Sequence, residues 1–307
     1  MLATPAEQQQ PCRVWVDDPA SFSTRRIERL HHDFHEHPLM QMGELARLAK
    51  ELAPTRQTRF IKPGTTQRSA FSHDGRSPDG RTIEQVFASI EEPGSWLALY
   101  NVETVPRYAE FLAEVIGMMR PYIERDQGAT FMMTGFIFIS APPSVTPFHI
   151  DRENNFWLQI HGRKVMNVWH HTDREVVAGK DVEDFIIHRA LERVQLQAGH
   201  ESRSEAFDVG PGDGVYFPAT SPHMTRSDPD WTKPGDRVSV SIGVTFYTDL
   251  TRKHAHVHQF NDALRRVGIT PATPGESDFI DTLKAPLGRM IGGARYRKRK
   301  SEPPPGF

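Results

Sequence analysis

Three residues of this 307-residue chain have the types and spacing of a metal site. His149 and Asp151 are two apart at the end of a strand-like run, and side chains two apart on a strand project from the same face. An imidazole and a carboxylate suit a divalent first-row metal, and a second histidine completes a facial triad that leaves three coordination positions open. His223 begins the next predicted strand after a proline turn, and we predict that it supplies this third ligand.

The elements that must position these side chains are short strands. After residue 129, runs rich in β-branched and aromatic residues follow one another, separated by Gly, Pro or Asp turns: FMMTGFIFIS, VTPFHI, NFWLQIHG, KVMNVWHH, GVYFP and RVSVSIGVTFYT. Many short strands in series are typical of a sandwich or jelly roll. In a jelly roll, strands that are distant in sequence become neighbours, so the long separation of Asp151 from His223 is expected.

Helical periodicity dominates the rest of the chain. It predicts helices near 23–53, 82–91 and 106–125, with one strand at Trp96 to Tyr100, and helices again from Leu250 onward. The predicted organisation is a flexible N-terminus at 1–20, a helical region packing on the barrel at 21–128, a barrel core at 129–250 with a helical insertion at 172–204, C-terminal helices at 251–293, and a basic, Pro-rich tail at 294–307.

The composition is that of an ordinary soluble globular protein, with 37% hydrophobic and 25% charged residues and a formal charge of −2 that indicates no particular partner. Cys12 is the only cysteine, so an intramolecular disulfide is excluded and a reducing cytoplasm is favoured. The N-terminus lacks a secretory signal, and the most apolar stretch, 129–143, is too short for a spanning helix. We therefore expect a cytoplasmic protein with no membrane partner.

Other histidine and basic clusters are weaker candidates. His254, His256 and His258 alternate, but on a helix only the outer two share a face, and no acidic or cysteine partner lies nearby in sequence. His31, His32, His35 and His37 fall in a polar segment read as helix. The run RYRKRK near the C-terminus favours a solvated tail over a nucleic-acid contact, so nucleic acid is not an expected partner.

Two stretches resemble a known family. The runs TPFHID, which begins at Thr146, and NFWLQIHGRK, which begins at Asn155, are similar to the core of the Jumonji-C, or cupin-like, 2-oxoglutarate oxygenases, over roughly 95–250. Within this family, the two stretches resemble in particular the asparaginyl hydroxylase that represses the hypoxia-inducible factor. The resemblance implies a mainly β fold: a double-stranded β-helix (jelly-roll) core with N-terminal and C-terminal helices.

The resemblance also implies roles for individual residues. His149, Asp151 and His223 would bind Fe(II), Lys164 would pair with the distal carboxylate of the cosubstrate 2-oxoglutarate, and Thr146 and Asn155 would hydrogen-bond it. A dianion in a partly dry barrel needs such a fixed cation. A solvated lysine beside a turn and a turn-capping threonine are the alternatives at Lys164 and Thr146. Tyr100 matches a pocket tyrosine of the family.

The implied activity is a dioxygenase reaction in which O2 and 2-oxoglutarate hydroxylate an amino-acid side chain in a protein or peptide. Small-molecule hydroxylation, N-methyl-lysine demethylation and a cupin metalloenzyme that does not use 2-oxoglutarate remain alternatives. The last barrel strand of the asparaginyl hydroxylase carries an asparagine near the metal, where this sequence has Gly243, which leaves the substrate open and predicts extra room near the iron. The C-terminal helices could form a homodimer, or pack only on their own barrel.

Overall fold

The computed structural model describes residues 13–231, 237–304 and 306–307. Residues 1–12 of the predicted flexible N-terminus, with Cys12, lie outside these ranges. The strands are β1 (Val14–Trp15), β2 (Glu28–His32), β3 (Thr58–Ile61), β4 (His73–Asp74), β5 (Trp96–Tyr100), β6 (Thr130–Ser140), β7 (Ser144–His149), β8 (Asn154–His161), β9 (Lys164–Val168), β10 (Glu205–Val209), β11 (Asp213–Phe217), β12 (His223–Ser227) and β13 (Ser239–Thr248). The helices are α1 (Met42–Leu52), α2 (Ile83–Ala88), α3 (Pro106–Gln127), α4 (Gly179–His188), α5 (Asp249–Arg266) and α6 (Asp278–Arg299).

These strands form two antiparallel sheets. The major sheet has the order β1-β2-β11-β8-β13-β6-β5-β3-β4, and the minor sheet has the order β10-β9-β12-β7. From β6 to β13 the chain passes repeatedly between the two sheets, so that consecutive strands lie in different sheets, except for β9 and β10, which pair with each other in the minor sheet. This is the connectivity of a double-stranded β-helix, and the predicted mainly β fold with flanking helices is confirmed.

The alternation of side chains along β8 sorts them between two environments. Phe156 and Leu158 are fully buried in a core that the major sheet shares with α1 and α3. Asn155 and Trp157 belong to the other face, which points into the barrel. The barrel therefore has a polar region beside an apolar one, and the apolar region is formed by Trp157, Met166, Val168, Val215 and Phe217 with their neighbours.

The outer face of the minor sheet is covered by the segment between β9 and β10. Phe148 and Ile150, at the end of β7, pack there against Trp169 and against Val182 and Ile186 of α4. The indole Nε1 of Trp169 donates a hydrogen bond of 2.6 Å to the His200 carbonyl in the same segment. The insertion thus fixes the strand end that carries the candidate metal ligands.

The prediction of a helix that starts near residue 23 is wrong for residues 23–41. Glu28–His32 form β2, which pairs with the edge of the barrel at β11, and only 3-10 turns separate β2 from α1. His31 and His32 are therefore strand residues, and His35 and His37 lie in or beside those turns. Strand pairing overrides a weak local periodicity here, because β11 offers an edge to be paired.

The prediction that the basic, Pro-rich tail begins at residue 294 is wrong. Helix α6 continues to Arg299, so most of the basic run is helical. Tyr296 of this run is buried, and its hydroxyl accepts a hydrogen bond of 3.0 Å from Gln259 Nε2 on α5. In the described ranges, none of the helices combines the length and apolar character needed to cross a bilayer.

Candidate metal centre

Strands β7 and β12 lie side by side, with His149 directly opposite His223. The register then shifts, because Thr225 pairs with Thr146, so β7 has one more residue than β12 between the two pairs. This is a β-bulge, and it occurs at Pro147, which cannot donate a ladder hydrogen bond. The bulge gives Thr146 and His149 a common face although they are three residues apart, and both line the same cavity.

The three predicted metal ligands come together at this end of the barrel. One ligand atom from each of His149, Asp151 and His223 lies within 4.8 Å of the others. The two imidazole centroids are 4.1 Å apart, and Nε2 of His223 is 3.5 Å from Oδ2 of Asp151. The main-chain N–H of Thr220 donates a 2.8 Å hydrogen bond to the Asp151 carbonyl, which joins the two loops that carry the ligands.

Both imidazoles are oriented by their own strands. Nδ1 of His149 is 2.7 Å from the Pro147 carbonyl, and Nδ1 of His223 is 3.0 Å from the Ser221 carbonyl. A carbonyl can only accept a hydrogen bond, so each Nδ1 carries the proton and each Nε2 keeps a free lone pair for a metal. Burial, and secondarily the repulsion that a protonated His149 would exert, lowers the pKa of His223 to about 4, which keeps this imidazole neutral. Neutral imidazoles and one carboxylate are a fitting donor set for a divalent metal.

Across residues 13–231, 237–304 and 306–307, this is the only group of three or more metal-ligating side chains so arranged. His254, His256 and His258 lie on α5 and form no second group of this kind. His258 is buried with its Nδ1 3.9 Å from a Glu183 carboxylate oxygen, which is the geometry of a core polar contact.

The triad borders a cavity between the two sheets that contains about 380 Å³ of empty space. Its walls are Phe136, Phe138, Thr146, His149, Asp151, Asn155, Trp157, Lys164, Met166, His223, Thr225 and Ser241. Six of the seven site residues predicted from the sequence are therefore brought together. The seventh, Tyr100, does not line this cavity.

Lys164 is the unusual member of the lining. It begins β9 opposite Val209, its side chain is 2% exposed, and no ion pair to any described residue is recorded for it. Burial alone lowers the pKa of its ammonium group to about 8. A buried cation that lacks a partner has a high free energy. An anion entering the cavity would relieve it.

Three further polar atoms in the cavity wall lack partners. Asn155 Oδ1, Thr225 Oγ1 and Ser241 Oγ are buried, and no hydrogen bond to a described residue satisfies them. Such atoms are rare in folded proteins and each requires an explanation. Together with Lys164 they make a small polar cavity that fits an acidic molecule. Thr225 and Ser241 could not be identified as site residues from the sequence, because their inward direction depends on strand pairing.

The room predicted near the metal at Gly243 is occupied. A Cβ at this position would lie 3.1 Å from Oδ1 and 3.3 Å from Nδ2 of Asn155. The two residues are on adjacent strands, since Thr245 of β13 pairs with Asn155 of β8. The glycine therefore makes space for the Asn155 amide instead of leaving an opening.

Tyr100 packs behind the cavity wall. Its ring centroid is 4.9 Å from that of Phe136 and 4.7 Å from that of His73, and the Arg59 guanidinium lies 4.7 Å from it. Burial raises the pKa of its hydroxyl, and the charge of Asp151 raises it further. Tyr100 thus lies in the electrostatic field of the metal centre without bordering its cavity.

Phe71 was missed by the sequence reasoning. Its ring stacks on the imidazole of His149 with centroids 4.2 Å apart and planes at 11°. The loop that carries it is held to β7 by a 3.0 Å hydrogen bond from the Phe148 N–H to the Gln67 carbonyl. In the sequence, the only feature that could have identified Phe71 is its aromatic ring in the otherwise polar stretch after β3.

Fold and site together define a double-stranded β-helix with a His-Asp-His metal centre and a buried lysine. No protein-family profile and no curated protein matches the chain. Among solved structures, YcfD of Escherichia coli is 17% identical with a TM-score of 0.45, over 88% of this chain and 65% of that one. The E. coli ribosomal oxygenase YcfD in complex with cobalt and 2-oxoglutarate is 17% identical with a TM-score of 0.44, over 91% and 67%. An oxalate decarboxylase of Lactobacillus farciminis is 11% identical with a TM-score of 0.23, over 42% and 26%.

Proposed function

We propose that the protein is an Fe(II)- and 2-oxoglutarate-dependent oxygenase that hydroxylates an amino-acid side chain in a protein or peptide. The observation that carries the proposal is Lys164, a buried cation without a partner in the same small cavity as the triad of His149, Asp151 and His223. A metal centre alone would not require this buried lysine. A metal centre that binds an acidic cosubstrate requires a cation that pairs with the cosubstrate carboxylate.

The lining residues fit 2-oxoglutarate in detail. Lys164 would hold the distal carboxylate through a charge-assisted hydrogen bond, which is strong in a buried site. Thr146 and Asn155 would complete the contacts, and both are buried in the wall. The triad offers three protein ligands and leaves the remaining metal positions for the cosubstrate and O2. Once bound, iron and 2-oxoglutarate supply the oxidising chemistry, and the chain supplies binding, orientation and exclusion of water.

The size and opening of the cavity favour a large substrate that reaches in by one side chain. With about 380 Å³ of empty space, much of it assigned to the cosubstrate, the cavity has little volume for a second whole molecule. Asp151 keeps 30% of its side chain exposed while His223 keeps 7%, so the centre opens to solvent on the aspartate side. A protein or peptide can remain outside and present a single residue there.

The proposal is tested by succinate formation from 2-oxoglutarate in the presence of iron(II) and O2. We expect turnover that Asp151→Ala abolishes, whereas Asp17→Ala, at an exposed carboxylate, leaves it intact. Anaerobic titration of the iron-loaded protein separates the proposal from a cupin metalloenzyme without a keto acid. A visible charge-transfer band on adding 2-oxoglutarate supports chelation, and its absence contradicts it.

We also propose a homodimer formed through α6. Four of its side chains, at steps of four, four and three residues, form an exposed apolar stripe: Phe279 at 73% exposure, Leu283 at 59%, Leu287 at 48% and Met290 at 71%. Exposed apolar patches on helices commonly mark protein interfaces. Light scattering should give a dimer mass, and Leu287→Arg should give a monomer.

We also propose a cytoplasmic location, because a chain with a single cysteine is typical of a reducing compartment.

A further inference from the structure

The last turns of α6 concentrate positive charge on a protein whose formal charge is −2. Between Asp281 and Glu302 the sequence contains no Asp or Glu, and its cations there are Lys284, Arg289, Arg295, Arg297, Lys298, Arg299 and Lys300. Arg295 is used inside the protein, since it bonds Gln259 and Asp262 of α5. Arg289, Arg297 and Lys300 are exposed, and no ion pair to a described residue is recorded for them.

These free cations line a concave surface. An open cavity with about 1370 Å³ of empty space lies between α5 and α6, and Arg252, Arg289, Arg297 and Lys300 all border it. Glu302 is the only acidic side chain in its described lining. Burial lowers the pKa of His256 in the same wall, and the charges of Arg289 and Arg252 lower it further, as expected where positive charge accumulates.

The cavity also has aromatic walls. Tyr296 and Phe307 both line it, with ring centroids 6.0 Å apart, and Phe307 lies 6.1 Å from His256. Tyr296 is only 7% exposed, so Phe307, which is half-buried, is the ring that a ligand can reach. A second open cavity shares Tyr296, Glu302 and Phe307 with the first and adds Arg189 and Arg299 to the path. The two cavities are therefore neighbours, and basic side chains border both of them.

The helix dipole does not account for this arrangement. Cations in the last turn stabilise a helix C-terminus, which would explain Arg297, Lys298 and Arg299. Arg289 lies more than two turns earlier. Arg252, in the first turn of α5, pairs with Asp249 at 3.7 Å and lies 3.6 Å from the Phe131 ring centroid, so it adds positive charge to the cavity without being a free cation. Their convergence on one cavity indicates a ligand that carries several negative charges.

We propose that this surface, which we call the α6 basic cleft, binds single-stranded nucleic acid. A positively charged groove that follows the phosphates, with aromatic side chains beside it, is the arrangement that single strands require. An acidic peptide would use the cations but not the rings. The apolar stripe of α6 consists of Phe279, Leu283, Leu287 and Met290, and none of these side chains lines the cleft, although Arg289 of the cleft lies within the same stretch of helix.

The test is fluorescence anisotropy of a labelled oligouridine 12-mer with the full chain, titrated at several salt concentrations. Arg289→Gln, Arg297→Gln and Lys300→Gln are combined in one variant. The matched control combines Lys62→Gln, Arg76→Gln and Arg120→Gln, which removes the same charge from exposed sites elsewhere. Each phosphate contact contributes about −0.7 to the slope of log K against log salt for single strands. The cleft variant should therefore reduce that slope by about 2 and weaken binding at least tenfold at low salt.

Several outcomes decide the matter. Arg297→Lys should bind as the parent does, and Asp151→Ala should too, because the cleft is independent of the metal centre. The proposal is overturned if the control variant loses as much affinity as the cleft variant, or if the parent shows no salt-dependent binding. It is equally overturned if vesicles of anionic lipid, or a polyglutamate peptide, bind the cleft more tightly than the oligonucleotide.

Discussion

Replacing Lys164 by methionine should make the protein more stable and at the same time weaken its binding of 2-oxoglutarate. Methionine has a similar length and no charge. Burial lowers the pKa of the lysine from 10.5 to about 8. About 1.36 kcal/mol corresponds to each tenfold change in proton affinity, so the charged lysine destabilises the fold by about 3 kcal/mol.

The pH dependence of this effect has a definite sign. The folded state binds the proton less tightly than the unfolded state, so the destabilisation is complete below the folded pKa of about 8. Stability rises with pH between about 8 and the ordinary value of 10.5, where the unfolded chain holds more protons. Lys164→Met should therefore exceed the parent by about 3 kcal/mol at pH 7, with the difference disappearing near pH 10.5.

Binding should change in the opposite direction. Hydrogen bonds to charged groups contribute about 1.5–3 kcal/mol, and removing one partner leaves the cosubstrate carboxylate unpaired in a buried cavity. We expect a loss of 2-oxoglutarate affinity of about ten- to hundredfold by anaerobic titration, and a smaller rise in melting temperature on adding 2-oxoglutarate than in the parent. Lys62→Met, on the surface, should change neither property. Parent-like affinity in Lys164→Met would refute the assigned role, and a loss of stability would refute the reasoning about burial.

Three further changes test the surroundings. Gly243→Ala places a Cβ about 3.1 Å from the Asn155 amide, so 2-oxoglutarate affinity should fall several-fold, and Asn155→Ala should remove the added effect. Phe71→Ala removes the ring stacked on His149, a contact worth about 0.5–1.5 kcal/mol. Cobalt(II) affinity should therefore fall up to tenfold. Unchanged affinity would show that the ring does not help to orient His149 for the metal. Tyr216→Phe removes a buried hydroxyl that bonds the N-terminal segment and α3, so chemical denaturation should show a loss of about 1–3 kcal/mol.

The metal ligands were predictable because their signal is local. Alternation along a strand predicted that His149 and Asp151 converge, and they do, although β7 ends at His149 and Asp151 lies just beyond it. His223 follows a recognisable turn and strand. The strand at Trp96–Tyr100 and the helix that became α3 were also predictable, since their patterns are strong and bounded by glycine or proline.

Other features depend on which strands become neighbours. The helix expected near residue 23 became β2 because the edge of β11 pairs with it. Thr225 and Ser241 point into the cavity only because the sheets close around it. Phe71 reaches His149 through a loop whose path depends on one main-chain hydrogen bond to β7. No periodicity in the sequence encodes such contacts.

The same cavity also argues against a purely structural role for this end of the barrel. Lys164 and the unpaired atoms of Asn155, Thr225 and Ser241 each raise the free energy of the folded state. Apolar side chains would fill the space between the sheets more stably, as they do in the adjacent region around Val168. A chain that keeps four uncompensated polar groups beside three metal ligands gains stability only when something binds there. Metal and 2-oxoglutarate together should therefore raise the melting temperature by more than either alone.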